Sequence, residues 1–467
     1  MEWFVDSTVD GKALDRFFTF MEDNKVEVHT MQIYRGERRL LRLAQEPYSC
    51  RDSREVYSLS KMFTSTVVGI AVGQGLLRVQ DRLVDIFGRE GASEKMSHIT
   101  VRHLLSMNTG HDRCVIPEMI VAPDSAEAFF GVEPVYEPGT HFTYNTGASC
   151  MLVSVIEKVS GRDFFQYACE NLFYPMGMTD ISWRRCADGR CVGGAGLHVC
   201  SDDIVKLGQM YLNGGVYQGR RILSEAWIRE ASSYVSDNSG NGTPDWCSGY
   251  GYQLWINSRG GYRGDGAFGQ LLVILPERDM FVAVQAFCAD MQKEMDGVFG
   301  LLEAMDGGEG EGEVYAFPPL PVGGRLPEID RTYHLEANEM HFGSLWIKAG
   351  GDSVQLAFDD GQSVQTLRAK AGCWTVSRCD MRYVQPALGG HLPGEQRQRL
   401  VMAASCGEEE GKIVLLVRYR TSPHRQRWEI EANESSLRIS FSEPEGPSWS
   451  LEGEACANPY AFRFTGA

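Results

Sequence analysis

Ser58 and Lys61 stand three residues apart in Tyr57-Ser58-Leu59-Ser60-Lys61-Met62-Phe63, where the pattern opens a helix. Residues at that spacing in a first helical turn share a face, so the amine reaches the hydroxyl. The unpaired amides of the same turn favour negative charge beside them, as a developing alkoxide or oxyanion would supply. A lysine desolvated or neighboured by another cation sheds its proton near neutral pH and serves as base without a histidine. Ten lysines make about 0.7 accidental Ser-x-x-Lys matches per chain, so the pair carries weight only with support from elsewhere. The other common constellations are missing: no G-x-S-x-G, no H-E-x-x-H, no G-x-x-x-x-G-K-[ST]. One G-x-G-x-x-G, Gly264 to Gly269, runs into the strand-like Gln270-Leu271-Leu272-Val273-Ile274-Leu275 and reads as a β-turn rather than a dinucleotide site.

The elements that would position this pair are legible from periodicity. Leu14, Phe17, Phe18 and Met21 mark an amphipathic helix over 8–24, followed by a hairpin in which 26–33 alternates by two, turns at 35–37 and resumes at Leu40. A helix with small residues (Ser65, Gly69, Ala71) runs over 58–74, and helices dominate to about 233: Val101–Met107 after Thr100, Ala148–Val159 before Gly161, and Asp202–Leu212 after Ser201. Strands return at 250–256, 271–275 and 280–286, then a helix at 290–305. This is an α+β domain, residues 1–305, whose antiparallel sheet closes late in the chain. A linker follows over 306–324, Gly/Glu-rich and then Pro-rich. Residues 325–467 alternate by two in about eight short strands, including 354–358, 412–419, 428–430 and 437–441, as a small all-β barrel or sandwich does.

Further residues bring a family into view. The chain over about 10–305 resembles the serine β-lactamase and penicillin-binding-protein superfamily, on its class C and D-aminopeptidase/esterase side. Ser58 and Lys61 fall on the first motif, Ile99 to Gly110 on the helix after it, and Glu137-Pro138-Gly139 leading to Phe142-Thr143-Tyr144-Asn145-Thr146 on the tyrosine motif. Ile156 to Gly161, Gly193 to Leu197 and Asn213-Gly214-Gly215 match framework positions. The resemblance implies a sheet flanked by helices with an all-helical subdomain, an acyl-enzyme on Ser58, and Tyr144 as a catalytic phenol whose pKa Lys61 would lower.

Two motifs depart from the family. Tyr-x-Asn is replaced by Tyr144-Asn145-Thr146, which puts a hydroxyl where an amide usually recognises substrate. The Lys-Thr-Gly or His-x-Gly strand corresponds to Gly261-Tyr262-Arg263-Gly264-Asp265-Gly266-Ala267-Phe268-Gly269-Gln270, which has neither lysine nor histidine. With Tyr262 in the lysine's place, Arg263 points away from the cleft unless a bulge among the glycines re-aims it as a ligand contact. The second oxyanion donor belongs to this turn, at Asp265 or Ala267, opposite the Ser58 amide. Trp246, Tyr252 and Trp255 are candidates to wall an acyl pocket or to pack in the core. Among the scattered histidines His111 alone merits a test.

These residues imply a serine hydrolase of esters, amides or short peptides, with no metal or other cofactor. The altered motifs leave an alternative: a catalytically silent binding or assembly protein with the same fold. Sixty-two acidic against 45 basic residues, a net charge of −17, argue against nucleic acid and anionic membranes as partners. The N-terminus has no basic-then-apolar leader and the 13 cysteines no C-x2-C pair, so a cytoplasmic chain with reduced thiols is expected, with room for homo-oligomers.

Overall fold

The computed structural model describes residues 3–306, 320, 325–338, 340–382, 397–443 and 448–456. They divide into two units. One holds Trp3–Gln45 and the described residues from Ser49 to Asp306; the other holds Glu46–Tyr48 and those from Leu320 onward. Of the expected linker, only Asp306 and Leu320 lie among the described residues.

The first unit is built on an antiparallel sheet of β1 (Trp3–Ser7), β2 (Glu27–Arg35), β3 (Arg38–Gln45), β4 (Trp255–Ile256), β5 (Tyr262–Gly266), β6 (Gln270–Leu275) and β7 (Met280–Phe287). Their order is β1-β3-β2-β7-β6-β5-β4. The sheet closes where β7 pairs with β2, with Val282 opposite Ile33 and Val284 opposite Met31. Every residue of β6 and β7 is buried, as strands covered on both faces must be. The helices α1 (Gly11–Asp23), α2 (Ser60–Gly73), α3 (Val101–Leu105), α4 (Thr146–Ser160), α5 (Ser201–Leu212) and α6 (Met291–Asp306) complete the frame. The terminal pair α1 and α6 pack together, and α5 packs on β6 and β7. Helix α1 buries Leu14, Phe17, Phe18 and Met21, the face its periodicity marks.

The expected strand at 250–256 shortens to Trp255–Ile256. Tyr250 makes only isolated bridges, to Ser236 and Trp255. Gln253 has a left-handed φ of +62° and Gly251 N–H donates to Leu254 C=O, so the chain turns where alternation suggested extension. Buried aromatics at 250, 252 and 255 mimic a strand pattern, yet Tyr250 and Trp255 pack on each other and on Tyr144 while Tyr252 packs on Trp227.

Among the described residues the second unit has ten strands: β8 (Leu326–Leu335), β9 (Ser344–Gly351), β10 (Ser353–Asp359), β11 (Val364–Ala371), β12 (Thr375–Arg382), β13 (Arg397–Glu409), β14 (Lys412–Tyr419), β15 (Arg425–Ala432), β16 (Ser436–Ser442) and β17 (Trp449–Ala455). Nine of them close into a barrel, the last join being the parallel pair β11–β13, and β12 lies outside on β13. Leu345, Ile347, Leu356, Leu415, Val417 and Ile439 fill it; buried residues alternate with less buried ones along β9 and β16, whereas β10 and β14 each bury three in a row. The strand count exceeds the eight expected because strands such as β8 carry charged residues outward and show little apolar alternation.

Candidate active site

Ser58 lies in a single 3₁₀ turn, Tyr57–Leu59, and α2 begins only at Ser60. The nucleophile candidate therefore precedes the α-helix instead of sitting in its first turn, and remains half-buried. Helix α2 is buried from Ser60 to Ala71, which carries Lys61 into the interior at 2% exposure. Its Nζ reaches Ser58 Oγ (3.1 Å), Thr146 Oγ1 (3.2 Å) and the Gly194 carbonyl (2.7 Å). Burial lowers the Lys61 pKa to about 8.

Tyr144 comes to the same place from the segment before α4. The Lys61 amine lies over its ring, 4.8 Å from the centroid, and its hydroxyl is near enough to that of Ser58 to feel it electrostatically. The ring stacks on Trp255 (5.2 Å, 27°) and meets Tyr250 edge-on. Burial, and after it the Asp265 carboxylate, raise the phenol's pKa, opposite to the lowering by Lys61 expected above. At neutral pH Tyr144 is a neutral hydroxyl and not a phenolate.

The tyrosine motif splits its duties. Asn145 is buried and caps α4, its Oδ1 accepting from Gly147 and Val115 amides, so it does not face the amine. Thr146, one residue on, does face it.

On the sheet side, β5 presses its Gly264 and Gly266 face against the Ser58 turn. A Cβ at Gly266 would lie 2.1 Å from Val56 O and 3.1 Å from Ser58 N, so only glycine permits this approach. Tyr262 shares that face by alternation, but its ring is buried beside Tyr211, 6.2 Å between centroids, and does not stand in for a lysine.

Arg263 does point the other way, yet not to solvent. It is 0% exposed, with Nε donating to Asp265 Oδ2 and Nη1 to Asn257 Oδ1, both at 3.0 Å, under the ring of Trp246 at 4.4 Å. No bulge re-aims it, and its charge is matched internally by Asp265. The carboxylate of Asp265 is 7% exposed and close enough to act electrostatically on both Lys61 and Tyr144.

The remaining candidates separate. Trp255 and Trp246 flank the Tyr144 and Arg263 side, whereas Tyr252 is buried against Trp227 with its hydroxyl on Glu230 (2.6 Å). His111 is buried between Thr109 Oγ1 and the Val132 carbonyl, a structural histidine. Three features carried no sequence signal: the Gly194 carbonyl on Lys61, the Gly193 carbonyl that accepts from Thr64 Oγ1 (2.6 Å), and the Asp265 side chain. Backbone acceptors are independent of residue type; only the Gly193-Gly194 pair hinted at close approach. Among the described residues no His, Cys, Asp and Glu side chains gather as a metal site, and no helix is long and apolar enough to cross a membrane.

A serine turn packed against a sheet strand, with a buried amine and a phenol beside its hydroxyl, is set in a recognisable fold. A family model for Beta-lactamase matches residues 17–296, and the chain belongs to that family. Similar solved structures include an octameric penicillin-binding protein homologue from Pyrococcus abyssi, at 17% identity and TM-score 0.52 over 95% of this chain and 99% of that one. A family VIII carboxylesterase is similar at 16% identity and TM-score 0.52, over 65% of this chain and 100% of that one. A putative 6-aminohexanoate-dimer hydrolase from Bacillus anthracis is similar at 17% identity and TM-score 0.50, over 61% and 80%. No curated protein matches this sequence.

Proposed function

We propose that this chain is a serine hydrolase that opens an ester or amide bond through an acyl-enzyme on Ser58. The observation that carries the reading is the Lys61 amine, buried, of lowered basicity, and 3.1 Å from the Ser58 hydroxyl. Neutral Lys61 takes the Ser58 proton as Oγ bonds to the substrate carbonyl carbon. Thr146 and the Gly194 carbonyl hold the amine in line. Tyr144 stays protonated, hands a proton to the leaving alkoxide or amine as its bond to the carbonyl carbon breaks, and regains one from the Lys61 ammonium. Water, deprotonated by Lys61, then adds to the acyl carbon, and as the bond to Ser58 Oγ breaks the Lys61 ammonium returns that proton to Oγ and the acid is freed. The oxyanion is held by the Ser58 N–H and one amide of Asp265 to Ala267, brought close by the Gly266 contact.

The substrate class that fits is a neutral ester, amide or short peptide, because Arg263, the cation of β5, is bound to Asp265 and Asn257. The structural likeness to a family VIII carboxylesterase and a putative 6-aminohexanoate-dimer hydrolase supports hydrolysis of such bonds, and that to an octameric homologue supports self-association. We read residues 1–305 as the hydrolase domain, 325–467 as a separate all-β domain, and the chain as cytoplasmic.

Intact-mass spectrometry after incubation with an activated p-nitrophenyl ester tests the reading. The wild-type chain gains one acyl group and releases p-nitrophenol; Ser58→Ala does neither while keeping its circular dichroism. A wild-type chain that stays unmodified supports the silent binding protein instead.

A further inference from the structure

Resting on this acyl-transfer reading, we infer that Tyr57 and Phe268 form a positioning pair that sets the spacing between the two oxyanion donors. Tyr57 immediately precedes Ser58, and Phe268 immediately follows Ala267. Both adopt left-handed backbone conformations, φ +46° and +64°, which bulky aromatic residues seldom enter. Such conformations persist where the surroundings over-determine them, and they cluster at functional sites.

The two residues touch each other. Their rings meet edge to face, with centroids 5.3 Å apart and planes at 72°. Tyr57 is buried, and its φ and ψ orient the peptide plane that carries the Ser58 N–H. Phe268 sits at the tip of the β5–β6 hairpin, which the Ala286 and Cys288 amides tie to β7 and its end through the carbonyls of Gly269 and Phe268. The outer face of Phe268 stacks on Phe287, 5.8 Å between centroids and 3° between planes. A chain of contacts thus runs from β7 through Phe287 and Phe268 to Tyr57, ending at the residue before the nucleophile. The Gly266 backbone closes the same gap directly, against Val56 O and Ser58 N. Contact through the rings keeps the hairpin from drifting away from the Ser58 turn, where a displacement of about 1 Å costs about a hundredfold in rate.

The test uses the full-length chain and the variants Tyr57→Phe, Tyr57→Leu, Tyr57→Gly, Phe268→Leu and the double Tyr57→Leu/Phe268→Leu. Each is assayed for kcat and KM on a p-nitrophenyl ester and for inhibition by a phenylboronic acid, which forms a tetrahedral adduct with a serine hydroxyl. The leucine variants lower kcat about 10- to 100-fold, leave KM within about threefold, and weaken boronate binding by a similar factor. Tyr57→Phe keeps the ring and stays at the wild-type rate. Tyr57→Gly, relaxed at positive φ but without a ring, falls as far as Tyr57→Leu. The double variant is no worse than the weaker single one, because both remove the same contact.

Wild-type rates in the leucine variants, a glycine variant at full activity, additive losses, or lost kcat with unchanged boronate affinity would each overturn the inference. Acylation of wild-type Ser58 separates the two levels. A chain that is never acylated overturns the acyl-transfer reading together with this one, whereas an acylated chain indifferent to both rings overturns this one alone.

Discussion

Replacing Lys61 by Met removes the proposed base and a buried charge together, and the two consequences have one titration in common. The drop of the Lys61 pKa from 10.5 to about 8 corresponds to about 3 kcal/mol by which holding the ammonium inside disfavours the fold at pH 7. The sign follows from linkage. The unfolded chain keeps its proton up to 10.5 while the folded chain releases it near 8, so the penalty is full below pH 8 and fades as pH rises towards 10.5. Lys61→Met abolishes that penalty at every pH, but leaves the Gly194 carbonyl without its donor at a cost of about 1–3 kcal/mol, so at pH 7 the variant is expected within about 2 kcal/mol of wild type, on the stable side. The pH-dependence is free of that offset. From pH 7 to 9 wild type gains about 1.3 kcal/mol on the variant, measurable by urea denaturation. Over the same interval the neutral fraction of Lys61 rises from about 0.09 to about 0.9, and kcat/KM should rise about tenfold. A stability difference indifferent to pH, together with a flat rate profile, refutes Lys61 as the titrating base.

Gly266→Ala places a methyl 2.1 Å from Val56 O and must push β5 from the Ser58 turn; kcat on a p-nitrophenyl ester should fall at least about 100-fold, and an unchanged rate rejects the close approach as functional. Glu294, fully buried and raised to about 8 by desolvation, favours the fold below pH 4.5 and loses that contribution as pH rises to 8. Glu294→Gln should therefore lose less stability between pH 5 and 8, by about 3.5 kcal/mol, in denaturation measured at both, while the rate limb near pH 8 remains. Esters identical but for a carboxylate beside the scissile bond should be hydrolysed at least about tenfold more slowly than their methyl-ester counterparts, because Arg263 is taken by Asp265; equal kcat/KM values would show that another cation receives the carboxylate.

Much of the frame is legible in the sequence because it is a matter of period. The apolar face of α1, the β2–β3 hairpin and the barrel strand Lys412–Tyr419 depend on local alternation that any one element displays by itself. The strand expected at 250–256 fails for the converse reason, since its aromatics answer to tertiary neighbours and its backbone turns at Gln253. The same contrast runs through the site. Spacing singles out Ser58 with Lys61, and the family resemblance adds Tyr144 through its place in the tyrosine motif. They do not say which of Asn145 and Thr146 faces the amine, or that Arg263 is buried in an ion pair with its neighbour but one.

Sequence alone determined that serine and lysine stand three residues apart, a spacing that one tight turn running into a helix brings together, and the division into helical, mixed and alternating segments. Only the tertiary structure decided the protonation of Tyr144 and Lys61, because desolvation and the Asp265 charge arise from elements far apart in the chain. It likewise decided that glycine at 266 lies against the turn holding Ser58 and that the aromatics at 57 and 268 take left-handed backbone, since close approach of backbones is a property of the packed chain and not of any residue within it.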